Sequence, residues 1–120
     1  MSAFRSLTDL APLAIWEGIL ARRVEGRITF AIVELEPGAR AARHQHPQEQ
    51  LGLVLEGTIH FLIGTETRNL IVGDTYEIPS DVVHEATAGP EGAVVIDVFS
   101  PVRADWHALS AQPARPPRWP

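Results

Sequence analysis

Apolar and polar residues alternate along the middle of this chain, and a period of two is the pattern of half-buried β-strands. Residues 27–35 are rich in β-branched side chains and end at a Glu36-Pro37-Gly38 turn. Another turn, Gly89-Pro90-Glu91-Gly92, separates the last two strands. The other predicted strands cover 49–56, 58–63, 67–72, 75–78, 82–88 and 93–99. Short strands at this spacing predict an all-β sandwich or barrel, and no segment has the periodicity of an amphipathic helix.

The two ends of the chain differ from this middle. Residues 1–13 have no clear pattern and lead into one predicted strand over 15–24. After residue 111 the prolines increase, and proline lacks the amide donor that a central strand needs. We therefore expect one domain over 1–111, with its core at about 27–100, and an exposed Pro-rich tail over 112–120. Packing of Trp119 across a neighbouring subunit is the alternative role for that tail.

Size and charge exclude several classes of protein. A chain of 120 residues and 13.1 kDa, 45% hydrophobic, is enough for one domain with a core and too short for two. Its formal charge of -5 argues against a nucleic-acid partner, which usually selects a basic surface. No secretory signal is evident, and no apolar run approaches the roughly 20 residues of a membrane span. We expect a cytoplasmic protein with no membrane partner.

The histidines are the most informative polar residues. Because the chain has no cysteine, a bound metal would need nitrogen and oxygen ligands. His44 and His46 are two residues apart, so on an extended strand both point to one face and can converge on one ion. Gln50 shares their register, whereas Glu49 points away. A further ligand must come from elsewhere, and His84 stands alone in an apolar strand.

A structural role is the competing interpretation of each histidine. A single histidine in a strand is more often structural than a ligand, and we assign His60 and His107 to that class. For the pair His44 and His46 taken alone, the metal-binding and structural interpretations are evenly balanced. Agreement between two separated segments is what favours a metal site.

Asp97 is an acid within the otherwise apolar strand 93–99. We expect Ile96 and Val98 to face the core, on the side opposite Asp97. A buried carboxylate is costly unless it is paired or functional. For an isolated aspartate, the preferred interpretation is an ion pair with one of three arginines, Arg22, Arg23 or Arg103.

Two stretches resemble the two sequence motifs of the cupin family. The first runs from Gly38 through five residues to His-x-His and then Gln50, with Gly57 following. The second has Gly73, five residues, Pro79, and His84 five residues later. Both motifs in order make a specific signal. The resemblance implies a double-stranded β-helix, or jelly-roll barrel, with a metal site in its mouth formed by His44, His46, Gln50 and His84.

Three positions depart from the cupin pattern. Gln50 replaces the usual glutamate, Asp81 the usual glycine and Ala88 the usual asparagine. Three neutral imidazoles and a neutral amide leave a divalent ion its full charge, which favours an anionic ligand and disfavours redox oxygen chemistry. Such ligands accept nickel, zinc, iron, cobalt, copper or manganese, and the identity of the metal stays open.

The run from Asp97 through Phe99 to Arg103 resembles the signature of one cupin subgroup. That subgroup is typified by a pectin-degradation protein that processes unsaturated uronates, and it has an Asp, a Phe two residues later and an Arg six residues later. The resemblance implies catalytic roles for Asp97 and Arg103 and a substrate-binding role for Phe99. It implies ring opening and ketonisation of a 4,5-unsaturated uronate, with Asp97 carrying the proton and Arg103 binding the carboxylate through two hydrogen bonds.

Two other functions are compatible with the sequence. One is a metal- or sugar-binding module without catalysis, serving as a sensor or accessory protein. The other is a dioxygenase, which Gln50 disfavours. The small-molecule substrate is expected to be an anionic sugar. Because small barrels often cover an edge strand with a second copy, we also expect a homodimer formed by exchange of residues 15–24.

Overall fold

Eight antiparallel strands make up most of residues 2–120, the part of the chain that the computed structural model describes. The strands are β1 (Leu13–Trp16), β2 (Ile19–Glu25), β3 (Thr29–Leu35), β4 (Arg40–His44), β5 (Glu49–Ile63), β6 (Glu66–Leu70), β7 (Thr75–Ile78) and β8 (His84–Ser100). Short 3-10 helices at Leu7–Asp9 and Ala104–Ala108 flank them. The strand order is β1-β2-β3-β8-β5-β6, with β4 paired to β8 and β7 paired to β5. The all-β jelly-roll prediction is confirmed.

The helices of the described residues include none that is long and apolar enough to span a membrane.

The long strands β5 and β8 form the centre of the barrel and pair along most of their length. The predicted turn at 89–92 is wrong, because β8 runs through it without a break. Gly57 and Gly92 both have positive φ, and a Cβ on Gly57 would lie 2.1 Å from the Gly92 carbonyl oxygen. These two glycines let both strands bend at the same place while the ladder continues on either side.

The single strand predicted over 15–24 is also wrong. The chain reverses at Glu17-Gly18, and β1 pairs with β2 as a hairpin within the same chain. The apolar residues on both sides of this two-residue turn make the segment look continuous in the sequence.

The interior face of β8 is the opposite of the predicted one. Val95, Asp97 and Phe99 are buried, whereas Ile96 and Val98 are half-buried on the outer face. The interior of the barrel contains both the apolar core and a polar site. The polar residue of β8, Asp97, therefore lies on the inner face of this strand.

The Pro-rich tail is largely exposed, as predicted, but it is anchored at several points. Arg22 and Glu34 form a buried ion pair on the sheet beneath it. The Arg22 guanidinium donates to the Arg115 carbonyl at 2.9 Å, and the Arg118 amide donates to the Glu34 carboxylate at 2.8 Å. The tail therefore covers this buried ion pair and supplies further hydrogen-bond partners to both of its members.

Candidate metal centre

Three histidines from three segments meet inside one end of the barrel. His44 ends β4 and His84 begins β8, and the register between these strands places the two residues directly opposite each other. His46 lies between β4 and β5. One ring nitrogen of each histidine lies within 4.8 Å of the others, so His44, His46 and His84 form a triad capable of binding a metal.

Asp81 ties the two motif segments together. Its φ of 61° is a conformation that glycine adopts easily and aspartate tolerates, which explains the glycine usual at this position. The Asp81 amide donates to the His46 carbonyl at 2.9 Å. This departure from the family pattern thus preserves the backbone shape that holds His46 near the second motif.

Backbone carbonyls fix the tautomer of all three histidines. The Nδ1 atoms of His44, His46 and His84 lie 2.6, 3.0 and 2.8 Å from the carbonyl oxygens of residues 42, 48 and 82. A carbonyl only accepts, so each Nδ1 must carry hydrogen, which leaves the neutral ring with a lone pair on Nε2. The Nε2 of His84 is buried and has no partner among residues 2–120. A bound cation would satisfy this atom, so the residues fit a metal site.

Burial keeps two of these histidines neutral. It lowers the pKa of His84 to about 4, and it is also the largest cause that lowers the pKa of His46, followed by the charge of Arg103. Because the metal-binding form of imidazole is the neutral one, neither ring needs to lose a proton before it binds a cation near neutral pH.

Gln50 rather than Glu49 joins the triad in space. Gln50 is buried, and its Oε1 lies 3.2 Å from Nε2 of His46, whereas Glu49 is exposed. Both facing atoms are lone-pair acceptors, an arrangement that a shared cation stabilises and that is otherwise unfavourable. The strand is interrupted between His46 and Gln50, so the position of Gln50 follows from its pairing within β5 and not from a continuous register.

Three residues that lie side by side on neighbouring strands position the carboxylate of Asp97. Asp97 on β8 lies opposite Gly52 on β5, which lies opposite Tyr76 on β7. A Cβ on Gly52 would lie 2.0 Å from the Tyr76 ring, so the missing side chain gives the ring room to cross β5. The Tyr76 hydroxyl then donates to Oδ1 of Asp97 at 2.5 Å.

Burial raises the pKa of Asp97 to about 6, against the hydrogen bonds of Tyr76 and Gln50 and the charge of Arg103, all of which lower it. The amide nitrogen of Gln50 must be the atom that donates to this carboxylate, which leaves Oε1 for the histidine side. Burial also raises the pKa of Tyr76 well above its usual value, so the phenol is a neutral donor.

Asp97 does not form the arginine ion pair that is the preferred interpretation of an isolated aspartate. Within residues 2–120, Arg22 pairs with Glu34, Arg23 with Glu25 and Arg103 with Asp105, and none of the three makes a direct ion pair with Asp97. The carboxylate is held by neutral hydrogen-bond donors instead. The hydrogen bonds from these donors offset only part of the effect of burial, so the pKa of Asp97 stays above its usual value.

Arg103 is fixed between aromatic rings at the cavity. Its guanidinium carbon lies 4.7 Å from the ring centroids of Phe99 and Trp106. Its Nε and Nη2 donate to the two oxygens of Asp105 at 3.1 and 2.9 Å. These two contacts use two of the five N–H donors of the guanidinium, so both hydrogens of Nη1 and the second hydrogen of Nη2 stay free.

One cavity of about 250 Å³ is lined by two of the triad histidines and by the other site residues, namely His44, His84, Gln50, Asp97, Phe99 and Arg103. His46 lies 5.9 Å from Phe99 between ring centroids. Four further aromatic residues line the cavity and were not predicted from the sequence, Trp16, Phe61, Tyr76 and Trp106. Each is an aromatic residue that a local pattern assigns to the core, and no sequence signal marks it as part of a cavity.

His60 and His107 lie outside the site, as predicted. His60 bonds Asn69 at 2.7 Å, and His107 bonds Glu25 at 2.8 Å. Both contacts lie at the surface and are structural.

Comparison with known proteins agrees with this geometry. The cupin domain family matches residues 31–99. The pectin degradation protein KdgF of Dickeya dadantii is 36% identical over 80 residues, which are 66% of this chain and 73% of that protein. The structure of KdgF from Halomonas sp. is 29% identical with a TM-score of 0.78, covering 88% of this chain and 98% of that one. An RmlC-like cupin from Shewanella frigidimarina has a TM-score of 0.80 at 26% identity, covering 88% and 96%.

Proposed function

This chain belongs to the cupin family, and we propose that it is a metal-dependent enzyme that opens and ketonises the ring of 4,5-unsaturated uronates. The observation that carries the proposal is that the buried Asp97 and the cationic Arg103 line the same cavity as two members of the histidine triad, His44 and His84. Its relatives include pectin degradation proteins, whose name is in keeping with acidic sugars.

Four side chains would hold the metal, namely His44, His46, His84 and Gln50. All four donor atoms are neutral, so a divalent transition ion keeps its double charge and favours an anionic ligand. Bound there, it would supply Lewis-acid stabilisation of the oxygen on which negative charge develops. Nickel, zinc, iron, cobalt, copper and manganese are all candidates.

Asp97 is the proposed proton carrier. As a carboxylate it takes the proton of the C1 hydroxyl, the C1–O5 bond breaks as the C1 carbonyl forms, and the electron pair stays on O5 as an enolate. Asp97 then returns the proton to C4, and the enolate becomes a ketone at C5. With a pKa of about 6, Asp97 can both accept and release a proton near neutral pH at a small cost in free energy.

Arg103 binds and orients the substrate carboxylate in this proposal. Asp105 takes Nε–H and one hydrogen of Nη2, so Nη1 and the second hydrogen of Nη2 can donate the two hydrogen bonds predicted from the sequence. Phe99 supports the guanidinium from below and forms an apolar wall, which excludes water from the reacting atoms.

Proton NMR of an unsaturated monouronate, incubated with protein of measured metal content, tests the proposal. We expect the wild-type protein to accelerate conversion to the linear keto acid, and Asp97→Ala to lose at least 100-fold in kcat, the usual range for losing a general acid–base group. His84→Ala should lose both metal and activity. His60→Ala, which removes a surface histidine, is the matched control and should keep both.

Two results would contradict the proposal. Full turnover by Asp97→Ala at normal metal content would remove the proposed proton carrier. Binding of the sugar with no conversion by the metal-loaded wild type would instead favour a non-catalytic binding module.

A further inference from the structure

In β1 the regular alternation of inward-pointing and outward-pointing side chains is broken where the strand reaches the cavity. Ala14 pairs with Leu20 and Trp16 pairs with Ile19, so Ile15 is an extra residue without a partner of its own. Such a bulge turns neighbouring side chains to one side of a strand. Ile15 and Trp16 accordingly both line the cavity, although regular alternation would have sent Trp16 outward with the exposed Ala14.

The bulge places the Trp16 indole beside the triad. Its ring centroid lies 5.2 Å from that of His44, with the planes tilted by 53°. The side chain is half-buried, so part of its surface is open to the cavity. The cavity thus combines the cationic Arg103 with a flat apolar surface that the proposed proton transfer does not use.

Resting on the proposed function, we propose that Trp16 determines specificity by stacking on the C–H face of a cyclic sugar acid. The ring of such a molecule has an apolar face as well as a carboxylate, whereas a small acyclic carboxylate has only the charge. Pockets of this kind orient a ligand by a few polar groups and gain much of their affinity from the apolar walls. Since the reaction opens the ring, the linear product loses this contact, and its release is favoured.

Binding to the metal-loaded protein separates this role from catalysis. The probes are galacturonate, a saturated uronate without the reactive double bond, and acetate, which carries only the carboxylate. We expect Trp16→Ala to weaken galacturonate binding about tenfold and to leave acetate binding unchanged. With the unsaturated substrate, the same variant should raise KM and change kcat little, the signature of lost uniform binding.

Two further variants keep the test valid if Trp16→Ala folds poorly. Trp16→Phe retains a flat ring and should stay within about threefold of the wild-type affinity, whereas Trp16→Leu retains apolar bulk alone and should behave like Trp16→Ala. Trp119→Phe is the matched control, because Trp119 lies in the tail and does not line the cavity. Metal content is measured for each variant.

The outcomes are distinguishable. Wild-type affinity of Trp16→Leu and Trp16→Ala for galacturonate would overturn the role of Trp16 and leave the proposed function standing. Equal loss of acetate and galacturonate binding, or loss of metal, would assign Trp16 a purely structural role beside His44 and overturn the inference. A metal-loaded wild type that binds no uronate and converts none would overturn the proposed function, and this inference with it.

Discussion

Gln50 acquires its orientation from its neighbours. A glutamine side chain can present either its oxygen or its nitrogen to a cavity, and only the oxygen can bind a cation. Asp97 accepts a hydrogen bond from the amide nitrogen, which turns Oε1 toward His46 at 3.2 Å. Tyr76 in turn holds Asp97. Asp97 and Tyr76 therefore decide which atom of Gln50 faces the histidine triad.

Gly52→Ala is expected to disturb this chain of contacts. The new methyl would meet the Tyr76 ring at 2.0 Å, so the ring must move and its hydrogen bond to Asp97 is lost. We expect a loss of about 1–3 kcal/mol in the free energy of unfolding, the usual cost of overpacking. We also expect weaker metal binding, measured by competition with a chelator.

The matched control is Gly26→Ala, where an added Cβ has nothing within 4 Å and should change neither quantity. If Gly52→Ala behaves like this control, the glycine is not needed for the position of Tyr76.

The C-terminal tail lies across the outer face of the sheet and is hydrogen-bonded to it. Its backbone supplies partners to both members of the buried Arg22–Glu34 pair, and the Arg118 guanidinium donates to the Leu35 carbonyl at 2.9 Å. A buried charge that loses a partner costs more than the net gain from one ordinary hydrogen bond. The tail therefore has a stabilising role that its proline content conceals.

Removal of residues 112–120 is expected to lower the free energy of unfolding by about 1–3 kcal/mol, because polar groups of Arg22 and Glu34 lose their partners. Denaturant titration measures the change. The metal affinity should not change, since no residue of the tail lines the cavity. Removal of residues 119–120 alone keeps the anchoring contacts and is the control. Equal stability of the two truncated proteins would mean that the tail contributes nothing.

Because the barrel buries Asp97, the free energy of unfolding of the whole molecule depends on whether this carboxyl is protonated. Its interior holds Asp97 among apolar side chains, and burial raises the pKa of this carboxyl to about 6 from a usual value of 3.8. The folded state then binds the proton more tightly than the unfolded state does. The resulting stabilisation is complete below the unfolded pKa and is lost as the pH rises through about 6.

Metal-free wild type and Asp97→Asn are compared to test this coupling. The amide cannot titrate, so the stability of the wild type relative to the variant should rise by roughly 2 kcal/mol between pH 7 and pH 4. Thermal or denaturant unfolding at several pH values measures it. Titration of the histidines is common to both proteins and cancels in the difference. A difference that is independent of pH would mean that Asp97 keeps an ordinary pKa.

Local patterns in the chain were sufficient for much of the architecture. The strand predicted over 27–35 corresponds to β3, and that over 75–78 to β7, because alternation and turn residues act within a few positions. The same local character made His44, His46 and His84 recognisable, since their spacing belongs to two short motifs, and the structure brings them together. Their role as metal ligands stays a prediction.

Contacts between distant segments of the chain determine the rest of the fold and of the candidate site. The row from Asp97 through Gly52 to Tyr76 depends on strand register across three separate stretches, and no short-range pattern contains it. The bulge at Ile15 and the unbroken course of β8 past Gly92 are likewise set by the partner strands. The spacing of residues along a chain limits which of them can share a face, but pairing with other strands determines which face becomes the interior, because only pairing closes the barrel.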